Sequence, residues 1–239
     1  MVKTGSGKAG YSGLFVAVTG LFVASLIAAN IISVKLIAIG DWFVPAGVVI
    51  FPLSYILGDV LTEVYGFKSA RRVIWLGFLC NLVVVAAIYL AGAWPGAGTP
   101  PGAPEPLWGA QDQDAWDRVL GLAPRLLVAS FIAYLVGEFA NSIMLARMKI
   151  ATEGRWLWSR TISSTIVGEG LDSLVFITLA FAGTPAFSAT AITTQWLIKV
   201  AYEVIATPLT YVVVGYLKRA EGIDVYDTDT RLNPIALTD

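Results

Sequence analysis

Six carboxylates and two ammonium groups stand inside stretches of this chain that are otherwise apolar. The acids are Asp59, Glu63, Glu138, Glu169, Asp172 and Glu203, and the bases are Lys35 and Lys199. An ionised side chain facing lipid costs roughly 3 kcal/mol or more, so each must look into protein, water or a partner. Acids outnumber bases three to one in these stretches, so some must be protonated, paired or wet. A carboxylate only accepts hydrogen bonds when ionised. An interior lined with carboxylates therefore suits a ligand that is cationic or rich in N–H donors.

The companions of these acids recur at helical spacing. Tyr55, Asp59, Thr62, Glu63 and Gly66 share one helix face, as do Tyr134, Glu138, Asn141 and Ser142. Thr165, Glu169, Asp172 and Ser173 line another, and Asn30 and Ser33 precede Lys35. Lys199 and Glu203 lie four residues apart, a spacing that also suits a simple intrahelical salt bridge. Counting along the helices puts Asn30, Tyr55, Asp59, Glu138, Glu169 and Asp172 near mid-membrane, Lys35 and Lys199 toward the outside, and Glu63 toward the cytoplasm. Phe51, Tyr55 and Tyr134 could stack on a flat ring. One shared central cavity accounts for these polar faces more simply than separate structural pairs. A site near the bilayer midplane suits alternating access.

The elements that must position these residues are membrane helices. The chain has 239 residues, 56% of them hydrophobic and only 14% charged. A soluble domain carries about 25% charged residues. Apolar stretches of spanning length fall at about 14–39, 43–66, 73–93, 123–147, 161–184 and 193–217. The expected fold is an all-α, six-helix transmembrane bundle forming a single domain over 1–239. The first stretch is too long for a signal-peptide core and reads as an uncleaved span. Pro45 and Pro52 interrupt the second, after a short turn at Gly40-Asp41.

Twelve of the 16 basic residues fall at Lys3, Lys8, Lys68, Arg71, Arg72, Arg147, Lys149, Arg155, Arg160, Lys218, Arg219 and Arg231, on one side of the expected bundle. The other side has Arg118 and Arg125. This asymmetry places both termini in the cytoplasm and the chain in a cytoplasmic (inner) membrane. Arg71 and Arg72 read as topology anchors. The long connection 94–122 is then external, rich in proline and glycine, with an interfacial helix expected over Asp114–Leu120. The tail 218–239 is polar and is expected to fray.

The stretch FPLSYILGDVLTEVYGFKSARRVIWLGF, Phe51 to Phe78, resembles the signature of the queuosine precursor transporters, also described as a vitamin uptake transporter family. The matching residues are Phe51-Pro52-Leu53, Asp59, Glu63, Tyr65-Gly66 and Ala70-Arg71-Arg72. The likeness continues through Pro124-Arg125, Ala129-Ser130, Ala133-Tyr134, Gly137-Glu138, Asn141, Asp172, Gln195, Lys199, Glu203 and Thr207-Pro208. It implies import of 7-cyano- or 7-aminomethyl-7-deazaguanine. It also implies a six-helix fold similar to the substrate-binding subunits of energy-coupling-factor transporters. A guanine-like ring offers N1–H and an exocyclic amine, a donor pair that a carboxylate can accept. The substrate-binding set expected is Asn30, Lys35, Phe51, Tyr55, Asp59, Glu63, Tyr134, Glu138, Asn141, Glu169, Asp172, Lys199 and Glu203.

Other functions fit less of the chain. It has one cysteine and no histidine, so a multi-cysteine metal site, zinc-protease chemistry and a histidine relay are excluded. No cofactor and no nucleic-acid partner is expected. No Walker A sequence is present, so ATP could act only through a separate ATPase subunit. A substrate-binding subunit of an ATP-driven system for a vitamin-like heterocycle is the alternative, and a homodimer is left open. Leu57-Gly58-Asp59 resembles part of an intramembrane aspartyl protease motif, but the paired Tyr-Asp lies in the tail at Tyr226-Asp227. An intramembrane protease is the remote reading, and no enzyme activity is expected.

Overall fold

The computed structural model describes residues 11–33, 35–39, 42–121, 124–184 and 187–236. Seven α-helices follow in order: α1 (Gly13–Ile32), α2 (Phe51–Tyr65), α3 (Phe67–Ala93), α4 (Ala110–Val119), α5 (Pro124–Ala151), α6 (Leu157–Phe181) and α7 (Ala189–Glu221). Two short strands, β1 (Leu36–Ile39) and β2 (Trp42–Pro45), separate α1 from α2. Helices α1, α3, α5, α6 and α7 are long and apolar enough to cross a membrane. Large apolar side chains such as Leu21, Val83, Leu90, Ile205 and Val212 stand exposed on them, as lipid-facing surfaces require. The chain is therefore an all-α, multi-pass membrane protein.

The second expected span takes a different form. Its α-helix has only 15 residues and rises about 22 Å, short of the ~30 Å hydrocarbon core. The rest of that stretch is β2 and a one-turn 3-10 helix at Ala46–Val49. Pro45 closes the strand and Pro52 sits in the first turn of α2, where a missing N–H costs nothing. The helix survives because protein surrounds it: 13 of its 15 residues are buried, packed among α1, α3, α5 and α7. It is the axis of the bundle.

The first expected span is also shorter than 14–39. Helix α1 ends at Ile32, where the Ser33 hydroxyl donates to the Ala29 carbonyl at 2.6 Å. The chain then folds back as an antiparallel hairpin, Leu36 opposite Pro45 and Ile39 opposite Trp42. The turn at Gly40-Asp41 lies outside the described residues. The interfacial helix is a turn longer than expected at its start, where the Gly109 N–H donates to Asp112 at 2.9 Å. Trp116 lies against Gly92, so α4 rests on the far end of α3.

The described part of the tail is held rather than frayed: residues 222–236 form a strap across one end of the bundle. Val225 N–H bonds the Val64 carbonyl at 3.4 Å, and the Asp227 carboxylate accepts from Phe67 N–H at 2.9 Å. Arg71 is fully buried and donates to the carbonyls of Arg231 and Asn233, at 3.1 and 2.9 Å. Trp75 Nε1 donates to the Pro234 carbonyl at 2.8 Å. Polar composition misled the expectation because the strap is held by main-chain carbonyls, which every residue type supplies. Gly66 makes the junction of α2 and α3, with φ +81 and the Val225 side chain against its face. A side chain there would be strained and would collide with the strap.

Asp224 anchors the strap to Lys149 and Lys218 at 2.5 and 2.9 Å. Partial burial pushes its carboxyl up, but hydrogen bonds and charge from the two lysines outweigh this and hold it below the usual value. That anchor is complete at neutral pH and is lost only as pH falls through the lowered value. Asp227 caps α3 from the strap, since Gly66 at the helix start offers no side chain. Asp227→Ala should cost about 1–2 kcal/mol and lower the melting temperature of the purified protein. Asp227→Asn keeps an accepting oxygen and should lose less. Equal melting of wild type and Asp227→Ala would remove the capping role.

Candidate functional site

Helices α2, α5, α6 and α7 bring the intramembrane acids to the interior at three levels. Glu63, the last acid on α2, belongs to the strapped end. Its Oε1 accepts from Arg160 at 2.8 Å and Lys218 at 2.6 Å, and Lys149 lies at 3.6 Å. Lys149 also donates to the Glu63 carbonyl at 2.6 Å. Arg160 is 1% exposed and also donates to the Arg155 carbonyl. Glu63 is thus compensated by three cations that tie α5, α6 and α7 to α2. By sequence, Lys149 and Arg160 read as loop residues and Lys218 as part of the tail. The missed signal was one acid at a helix end facing several bases from three other segments.

At the middle level lie Asp59, Glu138, Asn141 and Glu203, none more than 1% exposed. Asn141 Nδ2 donates to Asp59 Oδ1 at 2.6 Å. Asp59 Oδ2, both oxygens of Glu138, both of Glu203 and Asn141 Oδ1 are buried with no hydrogen-bond partner. The hydroxyls of Tyr55, Thr165 and Ser173 are in the same condition. Below them, Thr62 donates to the Gly58 carbonyl at 3.0 Å and lies 3.2 Å from the Ser142 hydroxyl.

Close helix approach makes this level possible. A Cβ on Gly58 would lie 2.1 Å from Glu138 Oε1, so the carboxylate rests directly on the α2 backbone. A Cβ on Gly137 would lie 2.5 Å from the Tyr55 hydroxyl and 2.9 Å from the Gly168 carbonyl. One on Gly168 would lie 2.8 Å from the Gly137 carbonyl. Glycines on α5 and α6 thus let two backbones touch, as small residues do between membrane helices.

The third level is Lys199 on α7. It bridges Glu169 at 2.6 Å and Asp172 at 2.5 Å, both on α6, and its Nζ sits 4.4 Å from the Phe51 ring centre. The partner of Lys199 is therefore not Glu203, four residues on. The intrahelical pair that the spacing allowed gives way to a cross-helix one. Phe51 in turn packs on Tyr55, with ring centres 5.5 Å apart.

Three expected residues stand apart from these levels. Lys35 is exposed beside the hairpin. Asn30 accepts from Ser130 at 3.1 Å and lines a shallow apolar groove with Asn81, Val119 and Leu120. Tyr134 spends its hydroxyl on the Ile74 carbonyl at 3.0 Å, a tie between α5 and α3. The remaining arrangement has two parts. One is a cation clamped between two acids beside an aromatic ring. The other is a set of carboxyl oxygens with nothing to accept from. Free acceptors at this depth can take donors from a ligand once the bundle opens.

Comparison with known proteins shows the family to which the chain belongs. Residues 45–213 match the family model described as "Putative vitamin uptake transporter". The chain is 28% identical over 198 residues to a "Probable queuosine precursor transporter" of Bacillus subtilis (strain 168), covering 80% of this chain and 82% of that one. It is 27% identical over 143 residues to the "Queuosine precursor transporter" of Escherichia coli (strain K12), covering 58% of this chain and 56% of that one. No solved structure matches. The family match runs from Pro45 through α2 to Val213 in α7 and so contains every acid of the three levels. The chain belongs to the vitamin uptake transporter family, and it is a membrane transport protein rather than an enzyme.

Proposed function

We propose that this protein imports queuosine precursors, 7-cyano- or 7-aminomethyl-7-deazaguanine, across the cytoplasmic membrane. The observation that carries this reading is the set of unpartnered buried oxygens on Asp59 and Glu138. A deazaguanine ring presents N1–H and the exocyclic amine on one edge, a donor pair that matches one carboxylate. Asn141 and Tyr55 can complete the polar edge, while Phe51 supplies a flat apolar face. The relatives' names point to the same class of ligand. Glu169, Asp172 and Lys199 border the ligand space in this reading, and the clamp between them must loosen for Asp172 to reach a ligand. Glu63 acts at a distance, by holding the strapped end closed.

In the same reading the central helix completes a sixth crossing together with the hairpin, giving a bundle similar to energy-coupling-factor substrate-binding subunits. Both termini face the cytoplasm. The Ser12 hydroxyl donates to Glu221 at 2.6 Å, which supports a common side for the start of α1 and the end of α7. The buried basic groups Arg71, Lys149 and Arg160 gather at that end, as the excess of positive charge on cytoplasmic faces predicts.

The orientation is checked by reporter fusions. Reporters at Gly102 and Arg155 should read opposite sides, with Arg155 inside; the same side for both would break the topology. The site is checked by uptake of labelled precursor into cells that lack their own importer and precursor synthesis. Asp59→Asn replaces an acceptor with an amide donor in a nearly unchanged shape. Losing one charge-assisted hydrogen bond weakens binding roughly 10- to 100-fold. Asp59→Asn, Glu138→Gln and Asp172→Asn should lower uptake per folded molecule while protein still reaches the membrane. Normal uptake per molecule in all three variants would refute the proposed site.

A further inference from the structure

The interior carboxylates are compensated very unevenly. Glu63 has Arg160, Lys218 and Lys149, and Glu169 and Asp172 share Lys199. Among the described residues no basic side chain pairs with Asp59, Glu138 or Glu203. Glu203, like Glu138, has both oxygens buried and partnerless, with only 1% of the residue exposed. The one hydroxyl a turn away, Thr207, is spent on the Glu203 main-chain carbonyl at 2.8 Å.

Acids on α2 and α6 lie within electrostatic range of Glu203. Asp59 on α2 is close enough for the two carboxylates to repel, and Glu138 on α5 and Glu63 on α2 add to the charge at Asp59. Glu169 on α6 also feels Glu203, while Asp172 stays on the Lys199 side. Lys199, one turn earlier on α7, is held by Glu169 and Asp172. Two buried carboxylates within electrostatic range of each other and paired with no cation cannot both stay ionised. The carboxylates are not grouped in a way that could hold a metal ion among the described residues.

Asn141 gives a second and independent observation. It is fully buried, its amide nitrogen serves Asp59, and its amide oxygen has no donor. An asparagine can donate to a carboxylate or, turned over, accept from a carboxylic acid. It therefore fits Asp59 in either protonation state, which a lysine could not do.

We infer that Glu203 and Asp59 form a proton-binding site, separate from the Lys199 clamp, that carries protons in step with the ligand. When the bundle opens to the outer side, a carboxylate of the pair takes a proton from water and becomes the neutral acid. The bundle can then close dry. When it opens to the strapped side, the acid O–H releases that proton to water and the carboxylate is restored. Import of a neutral ligand would carry one positive charge inward with it. The coupling rests on the transport reading above, whereas the proton site itself does not.

Infrared spectroscopy of the full-length protein in lipid bilayers at neutral pH tests the site without any substrate. The wild type should show the carbonyl stretch of a buried carboxylic acid, sensitive to deuterium exchange, and Glu203→Gln or Asp59→Asn should diminish it. Absence of the band in the wild type, or its persistence unchanged in both variants, would overturn the inference. A missing band in the wild type overturns the inference even if a variant fails to fold. In proteoliposomes, uptake of labelled 7-cyano-7-deazaguanine should rise when the outside is made acidic. That rise should disappear with a protonophore, and Glu203→Gln should show equal uptake with and without the gradient. Wild-type uptake indifferent to the gradient would overturn the coupling. No wild-type uptake at all would instead refute the precursor reading, leaving the infrared result to decide the proton site.

Discussion

Hydrocarbon offers a carboxylate no partner, and the whole architecture follows from that. The polar faces of α5, α6 and α7 must turn inward, and the only place they can meet is around α2. A helix with 13 of 15 residues buried can carry Asp59 and Glu63 because it touches little lipid. Its shortness follows from the same arrangement. A helix surrounded by protein need not match the bilayer thickness, and β2 and the 3-10 turn that precede it bond their own backbone. Ala46 N–H, for instance, finds the Lys35 carbonyl at 2.7 Å.

Within that constraint the two ends of α2 are treated differently. The Tyr65 end is tightly neutralised, with Glu63, Lys149, Arg160, Lys218 and Asp224 linked in one network. Breaking a buried pair leaves an uncompensated charge, so such a network resists change. The middle has the opposite character, with carboxyl oxygens left without donors. Buried unsatisfied groups are costly wherever they occur, and a protein that keeps several of them together has a use for them. The end is held by paired charges, whereas the centre keeps acceptors that nothing among the described residues satisfies.

Much of this was legible in the sequence. The polar faces of α2, α5, α6 and α7 followed from residue spacing, because a helical period survives any packing. Helices α3, α5, α6 and α7 came within a few residues of the expected stretches at most ends, though α3 begins six residues earlier, at Phe67. What was not legible depended on tertiary partners. Lys199 chose Glu169 and Asp172 across the helix pair over Glu203 on its own helix, and nothing in a one-dimensional spacing distinguishes these. The hairpin after α1 was hidden because Leu36–Ile39 is as apolar as a helix end. The strap was hidden because its contacts use carbonyl groups of Arg231, Asn233 and Pro234, which leave no mark on composition.

The strap also sets an order of assembly. Asp227 lies 160 residues after the Phe67 N–H that it caps. At typical elongation rates of about 5–20 residues per second, that separation is on the order of ten seconds of synthesis. Through that interval the start of α3 has no side-chain cap, Arg71 lacks the carbonyls it will later bind, and the Lys149–Lys218 pair waits for Asp224. The nascent bundle is thus held at its basic end only by contacts among its helices until the final segment leaves the ribosome. A chain that stops before Arg231 leaves the buried Arg71 guanidinium without the two carbonyls that the strap supplies.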